Sequence, residues 1–321
     1  RLYFRLQCNT IMSKTYCIGI DLGATNIKIG LLRGNQIISR KVLPTQDFGI
    51  RTNLITGLCS AISDILFEKK ISRKNVLGIG IGAPGPVDFS KGVVHFFPNI
   101  KGWHNVSLKA IIQRKVHLPV VIDNDANLMS LAESRIGAAR GYQNVIGITL
   151  GTGVGGGIII NGLLYRGASF AAGELGHIPL NEAGPKCNCG GSACLERYIG
   201  NRYILGNARR IFGKGISLEN VSLLARQGNA KARGVWNEVA NHLGVGLSGV
   251  INFFNPDAVV IGGGVANAGK FIFDRIAMVI KKRAMPTQAK TAKILKARLG
   301  NDAGMIGAAL LVKEALTQNA N

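Results

Sequence analysis

From Tyr16 to Leu32 the chain reads YCIGIDLGATNIKIGLL, two apolar runs around a polar, glycine-bearing centre. That pattern predicts strand, tight turn, strand. It returns in the second half, where IGIDLGATNIKIGLLRG from Ile18 aligns without gaps on IGITLGTGVGGGIIING from Ile146. Such an internal repeat implies two similar hairpins, one in each half of the chain. Their Gly/Thr tips bring backbone N–H groups and hydroxyls within reach of an anion. Within the second hairpin, Gly151, Gly153 and Gly156 match the spacing of the dinucleotide fingerprint. That fingerprint needs a helix after the turn. Here Gly157 to Tyr165 reads as a further strand and a turn, so the Rossmann reading is rejected.

Between the hairpins, Leu54, Leu58, Ala61, Ile62, Ile65 and Leu66 fall at helical spacing, predicting a helix over 54–70. Val76–Ile81 reads as a short strand that ends in Ala83-Pro84-Gly85-Pro86-Val87-Asp88, a stiff loop that is either a plain turn or faces a ligand. Phe97 to Trp103 is irregular, and its tryptophan reads as packing. Pro119–Ile122 reads as a buried strand emptying into Asp123-Asn124-Asp125-Ala126-Asn127, ahead of an Ala/Leu/Met-rich helix. Helix capping needs one such polar residue, not four, so a site is expected there. Further on, 197–212 reads as one basic helix and 235–250 as an amphipathic helix stopped by Asn255-Pro256. Ala258–Ile261 reads as a strand running into Gly262-Gly263-Gly264, with room beside it for a flat ligand or a helix N-terminus. A Gly/Ala-rich helix over 303–316 closes the chain.

One stretch, GELGHIPLNEAGPKCNCGGSACLE from Gly173 to Glu196, stands outside these periodicities. It places His177, Cys187, Cys189 and Cys194 within eighteen residues. One imidazole and three thiols suit a tetrahedral zinc ion, and with four ligands supplied by protein the ion is structural. Gly190-Gly191 allows the chain to fold back on itself. Glu174 and Glu196 bracket the cluster, and the zinc-fixed loop is expected to turn Glu174, His177 and Glu196 toward a ligand.

Composition changes the picture in two respects. Lys+Arg number 39 against 17 Asp+Glu, a formal charge of +22 that attracts polyanions. The excess is scattered, with denser patches at Lys69-Lys70, Arg73-Lys74, 202–210 and 281–283, and reads as a solvated basic surface. The six cysteines are too few for a disulfide scaffold in 321 residues. With three in the metal cluster, Cys8, Cys17 and Cys59 are left as free thiols, Cys17 as a core residue. Reduced thiols argue for the cytoplasm. No apolar run reaches the length of a membrane span. The residues before Met12 lack the features of a signal peptide, and Met12 is an alternative start.

Taken together, IGIDLGATNIKIGLL, GAPGPVD, PNIKGW, NDAN, LGTGVGGG, GELGH, CNCGGSACLE, NPDAVVIGGGV and DAGMIGAALL resemble the ROK sugar kinases, and the bacterial glucokinases most closely. These motifs run in family order over 16–312, and GELGH with the cysteine cluster is the most specific. The resemblance implies a two-domain α/β fold of the actin/hexokinase-like (ribonuclease H-like) ATPase type with a zinc-binding loop, its domains set around a cleft. The expected organisation is an N-terminal extension over 1–15 and a first domain over 16–122 joined by a C-terminal helix at about 305–321. A larger domain over 123–304 carries the zinc loop 173–196. For ATP the resemblance implies Asp21, Gly23, Ala24, Thr25 and Lys28 at the first turn, with Asp21 near Mg²⁺. It adds Thr152 and Gly153 at the second turn, and Gly263 and Gly264 beside the adenosine. For the sugar it implies Gly85, Asn99, Asn124, Asp125, Glu174, His177 and Glu196, with Asp125 as catalytic base. The zinc ligands it implies are His177, Cys187, Cys189 and Cys194. Phe170 departs from the family in standing where many members carry a small residue, which bears on sugar preference.

No GxxxxGK[ST] string is present, so this is not a P-loop enzyme. Phosphoryl transfer is mostly positioning and charge neutralisation, which glycine turns with Mg²⁺ supply. An aspartate of pKa about 3.9 is ionised at neutral pH, and in a loose transition state its orientation matters more than its base strength. The expected reaction is ATP-dependent phosphorylation of a hexose, glucose to glucose 6-phosphate. N-acetylmannosamine, N-acetylglucosamine, fructose and allose are alternative acceptors, and polyphosphate an alternative donor. A sugar-responsive repressor of the same family is a further alternative; only seventeen residues precede Ile18, too few for a DNA-binding module, so nucleic acid is not an expected partner. No membrane partner is expected, and a homodimer fits the resemblance.

Overall fold

In the computed structural model of the chain, residues 15–317 are described. Cys8, Met12 and all of the expected N-terminal extension except Thr15 lie outside them. The chain divides into two compact units. The first takes the chain up to Ala132, the segment 166–172, and the chain from Asn301 onward; the second takes 133–165 and 173–300. The sequence reading placed the first boundary at 122/123. The structure carries it ten residues further, because the helix after the strand stays with the first unit for two turns, and it also returns 166–172 to that unit.

The first unit is built on β1 (Tyr16–Leu22), β2 (Asn26–Arg33) and β3 (Gln36–Pro44), followed by helix α1 (Arg51–Glu68) and strand β4 (Val76–Ala83). A small sheet of β5 (Val87–Asp88), β6 (Val93–Phe96) and β7 (His104–Val106) leads to α2 (Leu108–Val116), β8 (Val120–Asn124) and α3 (Asp125–Arg135). The main sheet runs β3-β2-β1-β4-β8, antiparallel through the hairpins and parallel from β1 to β8. Alternation along β1 sorts its side chains. Ile18, Ile20 and Leu22 join one buried cluster with Leu54, Leu58 and Ile62 of α1 and Leu108 and Ile112 of α2.

The opposite face of β1 carries Cys17, Gly19 and Asp21, and there the C-terminal helix, Ala303–Thr317, packs backbone to backbone. A Cβ at Gly19 would run into the carbonyl of Met305, and one at Gly80 into that of Ala308. Glycine at both strands is the condition for that approach. Cys17 is buried, and burial pushes its thiol up to about 11 against the pull of Lys313.

The second unit repeats this plan. Strands β9 (Val145–Leu150), β10 (Val154–Ile160) and β11 (Leu163–Tyr165) are antiparallel neighbours, with no helix after the Gly151–Gly156 turn. Helices α4 (Glu196–Ile199), α5 (Asn201–Phe212), α6 (Leu218–Arg226) and α7 (Ala230–Phe254) precede β12 (Ala258–Gly263). Helices α8 (Lys270–Arg283) and α9 (Pro286–Thr291) then lead to β13 (Lys293–Lys296). The sheet order β11-β10-β9-β12-β13 reproduces that of the first unit, with β9, β12 and β13 parallel.

The repeat in sequence is thus a repeat of the whole sheet, but it is not gapless in space. Leu22 pairs with Ile27, whereas its counterpart Leu150 pairs with Val154, so the second turn is one residue shorter. Gly157, not Ile158, therefore occupies the place of Gly30, and Ile160 is exposed where Arg33 is exposed.

Helix 197–212 of the sequence reading is two helices. Gly200 between them is extended, at φ −69° and ψ 149°, because its amide is taken by Glu196 while the amide of Asn201 turns back to the Gly151 carbonyl. Among the described residues no helix is long and apolar enough to cross a membrane.

Candidate active site

In the first unit, three strand ends gather the candidate residues. The β1–β2 turn is held from behind. Thr45, a buried threonine the sequence reading passed over, donates its hydroxyl to the Gly23 carbonyl at 2.8 Å and its amide to that of Thr25 at 2.9 Å. Asn99 Nδ2 donates to the Ala24 carbonyl at 2.9 Å. With three consecutive carbonyls fixed, the trans peptides point the Ala24 and Thr25 N–H groups the other way, which is what an anion needs. Asn99, which the resemblance groups with the sugar, thus has its amide nitrogen on the β1–β2 turn.

Asp21 lies at the end of β1 against Gly304, where a Cβ would sit 2.9 Å from the Asp21 Cγ. Lys28 Nζ is 3.2 Å from Asp21 Oδ2 and donates to the Asn301 carbonyl at 2.7 Å. Burial raises the Asp21 carboxyl above its ordinary range, and the Lys28 cation works against that rise. A largely shielded carboxylate oxygen beside a glycine turn fits a hard cation such as Mg²⁺, which takes oxygen ligands.

At the end of β8 the polar run resolves into distinct tasks. Asn124 Oδ1 accepts from the amides of Ala126 and Asn127 at 2.9 and 3.2 Å and so caps α3. Its Nδ2 donates to the Gly85 carbonyl at 3.2 Å. Gly85 has φ +73°, a left-handed conformation, and a Cβ there would press on the Phe96 carbonyl, so a glycine shapes that loop. Asp123 is buried, accepts from the Asn124 amide and from Asn127 Nδ2 at 2.8 and 2.9 Å, and pairs with Arg166 Nε at 2.7 Å. Three of the four polar residues therefore build the turn, contrary to the expectation that capping would use only one. Asp125, half-buried at the first position of α3, is the carboxylate this construction presents; its Oδ1 accepts from the Ala126 amide at 2.8 Å. Trp103 is packing, as read: it is buried edge-on to Phe97 and donates to the Val94 carbonyl.

The second unit carries the Cys/His cluster. The segment 178–180 pairs with 193–195, through Leu180 to the Ala193 carbonyl and Leu195 to the Ile178 carbonyl, both 2.9 Å. That ladder brings His177 beside Cys194. Gly190, at φ +96°, turns the Cys187–Gly191 loop, which the Cys187 amide closes on the Gly191 carbonyl. The ligand atoms of His177, Cys187, Cys189 and Cys194 all lie within 4.8 Å of one another. Burial first, and then the neighbouring thiols, push Cys194 up; a cation among the sulfurs supplies the charge that favours the thiolate. A set of one imidazole nitrogen and three sulfurs at this spacing fits zinc. His177 turns Nδ1 toward Cys187 Sγ, at 3.7 Å, and Nε2 toward Glu174, at 3.9 Å.

Glu196, two residues after the last cysteine, accepts from the Val154 amide at 2.8 Å and lies against Gly153, where a Cβ would come within 2.7 Å of its carboxylate. The turn it braces, Gly151-Thr152-Gly153, leaves Thr152 and Gly153 exposed. Gly263, at φ +85°, sits with its α-carbon against the Leu150 carbonyl, a place only glycine fits. Beside Gly264 and Val265 opens a cavity of about 230 Å³ whose polar wall includes Asn201, Glu219, Ser222, Arg226 and Asn267. Asn201 Oδ1 and Trp236 Nε1, both at this cavity, are buried without a hydrogen-bond partner. The polar side chains of this wall beside a glycine turn leave room for a flat, polar ligand. The glycine triplet pointed to this wall; its helical residues are too scattered in sequence to be found there.

The ROK family profile matches residues 17–315. The chain belongs to the ROK family. It is 35% identical over 323 residues to a glucokinase of Halalkalibacterium halodurans, covering 94% of this chain and 96% of that one. It is 33% identical to a xylose repressor of Caldicellulosiruptor bescii, covering 92% of this chain and 77% of the repressor. Its structure matches that of a ROK glucokinase from Streptomyces griseus, solved with glucose and AMPPNP, with a TM-score of 0.81 and 34% identity over 93% of this chain and 99% of that one. The fold is the mixed α/β fold of ROK sugar kinases, and this ROK chain is a sugar kinase.

Proposed function

We propose that this ROK kinase transfers the γ-phosphoryl group of ATP to glucose, forming glucose 6-phosphate, with Asp125 as the base. The observation that carries the reading is the β8–α3 turn: Asp123, Asn124 and Asn127 brace one another by hydrogen bonds around Asp125. A base so braced meets the main demand of the reaction, orientation. The glucokinase relative and the glucose-bound structural match support glucose as acceptor.

The sugar hydroxyl gives its proton to a carboxylate oxygen of Asp125 as its oxygen attacks the γ-phosphorus and the bond to ADP breaks. The Ala24 and Thr25 amides and the Gly151–Gly153 turn hold phosphate oxygens, and the cavity beside Gly264 takes the adenine. Mg²⁺ would be held at Asp21 and, when bound, neutralises charge on the phosphates. Glu174 and His177 Nε2 hold sugar hydroxyls; His177 would also be one of the residues that hold zinc, which would fix its tautomer. Asn124 adds the donor capacity its contact with Gly85 leaves over, and Glu196 the carboxylate oxygen not on Val154. Zinc, where bound, supplies rigidity rather than chemistry, since protein fills its four positions.

The test is an ADP-release assay with Mg-ATP against a panel of hexoses and N-acetylhexosamines. Glucose is expected to give the highest kcat/KM. Preference for N-acetylmannosamine, N-acetylglucosamine, fructose or allose reassigns the sugar and leaves the mechanism in place. No ADP release with any sugar overturns the reading in favour of a sugar-binding regulator.

A further inference from the structure

We propose that Arg166 is a positioning residue for phosphoryl transfer, acting through Asp123 on the turn that presents Asp125. The inference rests on the assignment of Asp125 as base.

Arg166 arrives from far along the chain. It opens the segment 166–172, which belongs to the first unit although the chain on both sides of it belongs to the second. The excursion is closed by the Ala172 amide on the Arg166 carbonyl, at 3.0 Å. It meets the first unit through one buried charge pair and two contacts on the Phe89 ring. Arg166 Nε meets Asp123 Oδ2 at 2.7 Å, with the Asp123 side chain only 3% exposed. The guanidinium carbon lies 3.7 Å from the centroid of the Phe89 ring, a cation–π geometry. Phe170 packs on the same ring, 6.3 Å between centroids, and does so from a left-handed conformation at φ +60°. A bulky residue persists in that region only where its surroundings over-determine it.

The chemistry of Asp123 gives this clamp its consequence. One carboxylate oxygen takes the Asn124 amide and Asn127 Nδ2; the other takes Arg166. The residues on both sides of Asp125 are thus bonded to a carboxylate whose own direction is set by Arg166. Its planar fork, pre-oriented by Phe89, fixes a direction that a point charge does not. Removing the guanidinium leaves the buried Asp123 carboxylate without its charged partner, so its direction in the turn is no longer fixed. A misplacement of about 1 Å at a reacting group costs about 10²-fold in rate.

The experiment compares Arg166→Met, Arg166→Lys, Asp123→Asn and Asp125→Asn in the full chain, reading kcat and KM for sugar and ATP beside thermal melting. Arg166→Met is expected to lower kcat roughly 10–100-fold with KM for ATP within about twofold, and Arg166→Lys to recover only part of the loss. The Arg166→Met/Asp123→Asn double variant should lose no more kcat than the worse single variant, because the pair acts as one unit. A kcat in folded Arg166→Met equal to that of the parent, with Asp125→Asn inactive, overturns the role of Arg166 and spares the base. Full turnover in Asp125→Asn overturns the base and this inference with it. Should Arg166→Met not fold, Asp123→Asn carries the test: a fall in kcat at unchanged KM for ATP supports the role, and an unchanged kcat overturns it.

Discussion

Glu196 Oε2 accepts a hydrogen bond from the backbone amide of Val154 at 2.8 Å, so the residue that ends the zinc loop also braces the second glycine turn. One carboxylate therefore ties the end of the Cys/His loop to the Gly151–Gly153 turn, and in the proposed function it would serve sugar and phosphate together. Glu196→Gln keeps an acceptor for Val154 and is expected to raise KM for sugar about 10-fold with a small effect on KM for ATP. Glu196→Ala removes the acceptor as well and should raise both, since a lost hydrogen bond to a charged group is worth about 1.5–3 kcal/mol. Steady-state kinetics with each substrate varied separates the two effects.

Asp125→Ala is expected to lower kcat by roughly 10²–10⁴ with an unchanged melting temperature, the range for a positioned base. Asn124 supplies the cap of α3, so the helix start survives the substitution. Turnover equal to that of the parent would remove Asp125 from the reaction.

Metal content should be one zinc per chain, measured by plasma mass spectrometry. Cys194→Ser, or a chelator strong enough to strip zinc, is expected to raise KM for sugar sharply or unfold the loop, since Cys194 lies in the short ladder 178–180/193–195 that His177 leads into. Parent-like sugar affinity in verified zinc-free protein would contradict the role given to His177.

Asp21 carries a pH prediction. Burial raises its carboxyl in the folded protein, so the folded state holds that proton more tightly than the unfolded chain. Ionising Asp21 therefore costs stability; the cost is full above its folded pKa and absent below the unfolded value of about 3.9. Lys28 offsets part of the cost. Lys28→Met should destabilise the protein by about 1–3 kcal/mol at pH 7, discounted for a lysine a quarter exposed, with a smaller difference near pH 4. Denaturant unfolding of both proteins at the two pH values reads the difference.

Gly19→Ala and Gly80→Ala place a methyl against carbonyls of the C-terminal helix. Each is expected to cost about 1–3 kcal/mol by overpacking, seen as a lower denaturation midpoint with no change in slope.

How much of this was legible before folding depends on the range of the interaction. The alternation around Ile18 and Ile146 already held two hairpins with glycine tips, because strand period and turn chemistry are local. The metal cluster was legible for the same reason: His177 and Cys194 are close in sequence, and Gly190 between them has one conformational use. The length of the second turn was not, since a gapless alignment hides a one-residue change that only strand pairing reveals. The acidic run at 123–127 looked like four functional residues because nothing in a string of letters says where a buried Asp123 finds its counter-charge. Arg166 and the Thr45 brace come from distant segments, and the Asn201–Trp236 cavity wall from separate helices. Local periodicity and turn chemistry thus carried most of the elements and the Cys/His cluster in the sequence alone. The division of labour among the polar residues was decided by tertiary structure, because a buried donor or acceptor takes its role from whichever partner the fold delivers within 3 Å or so.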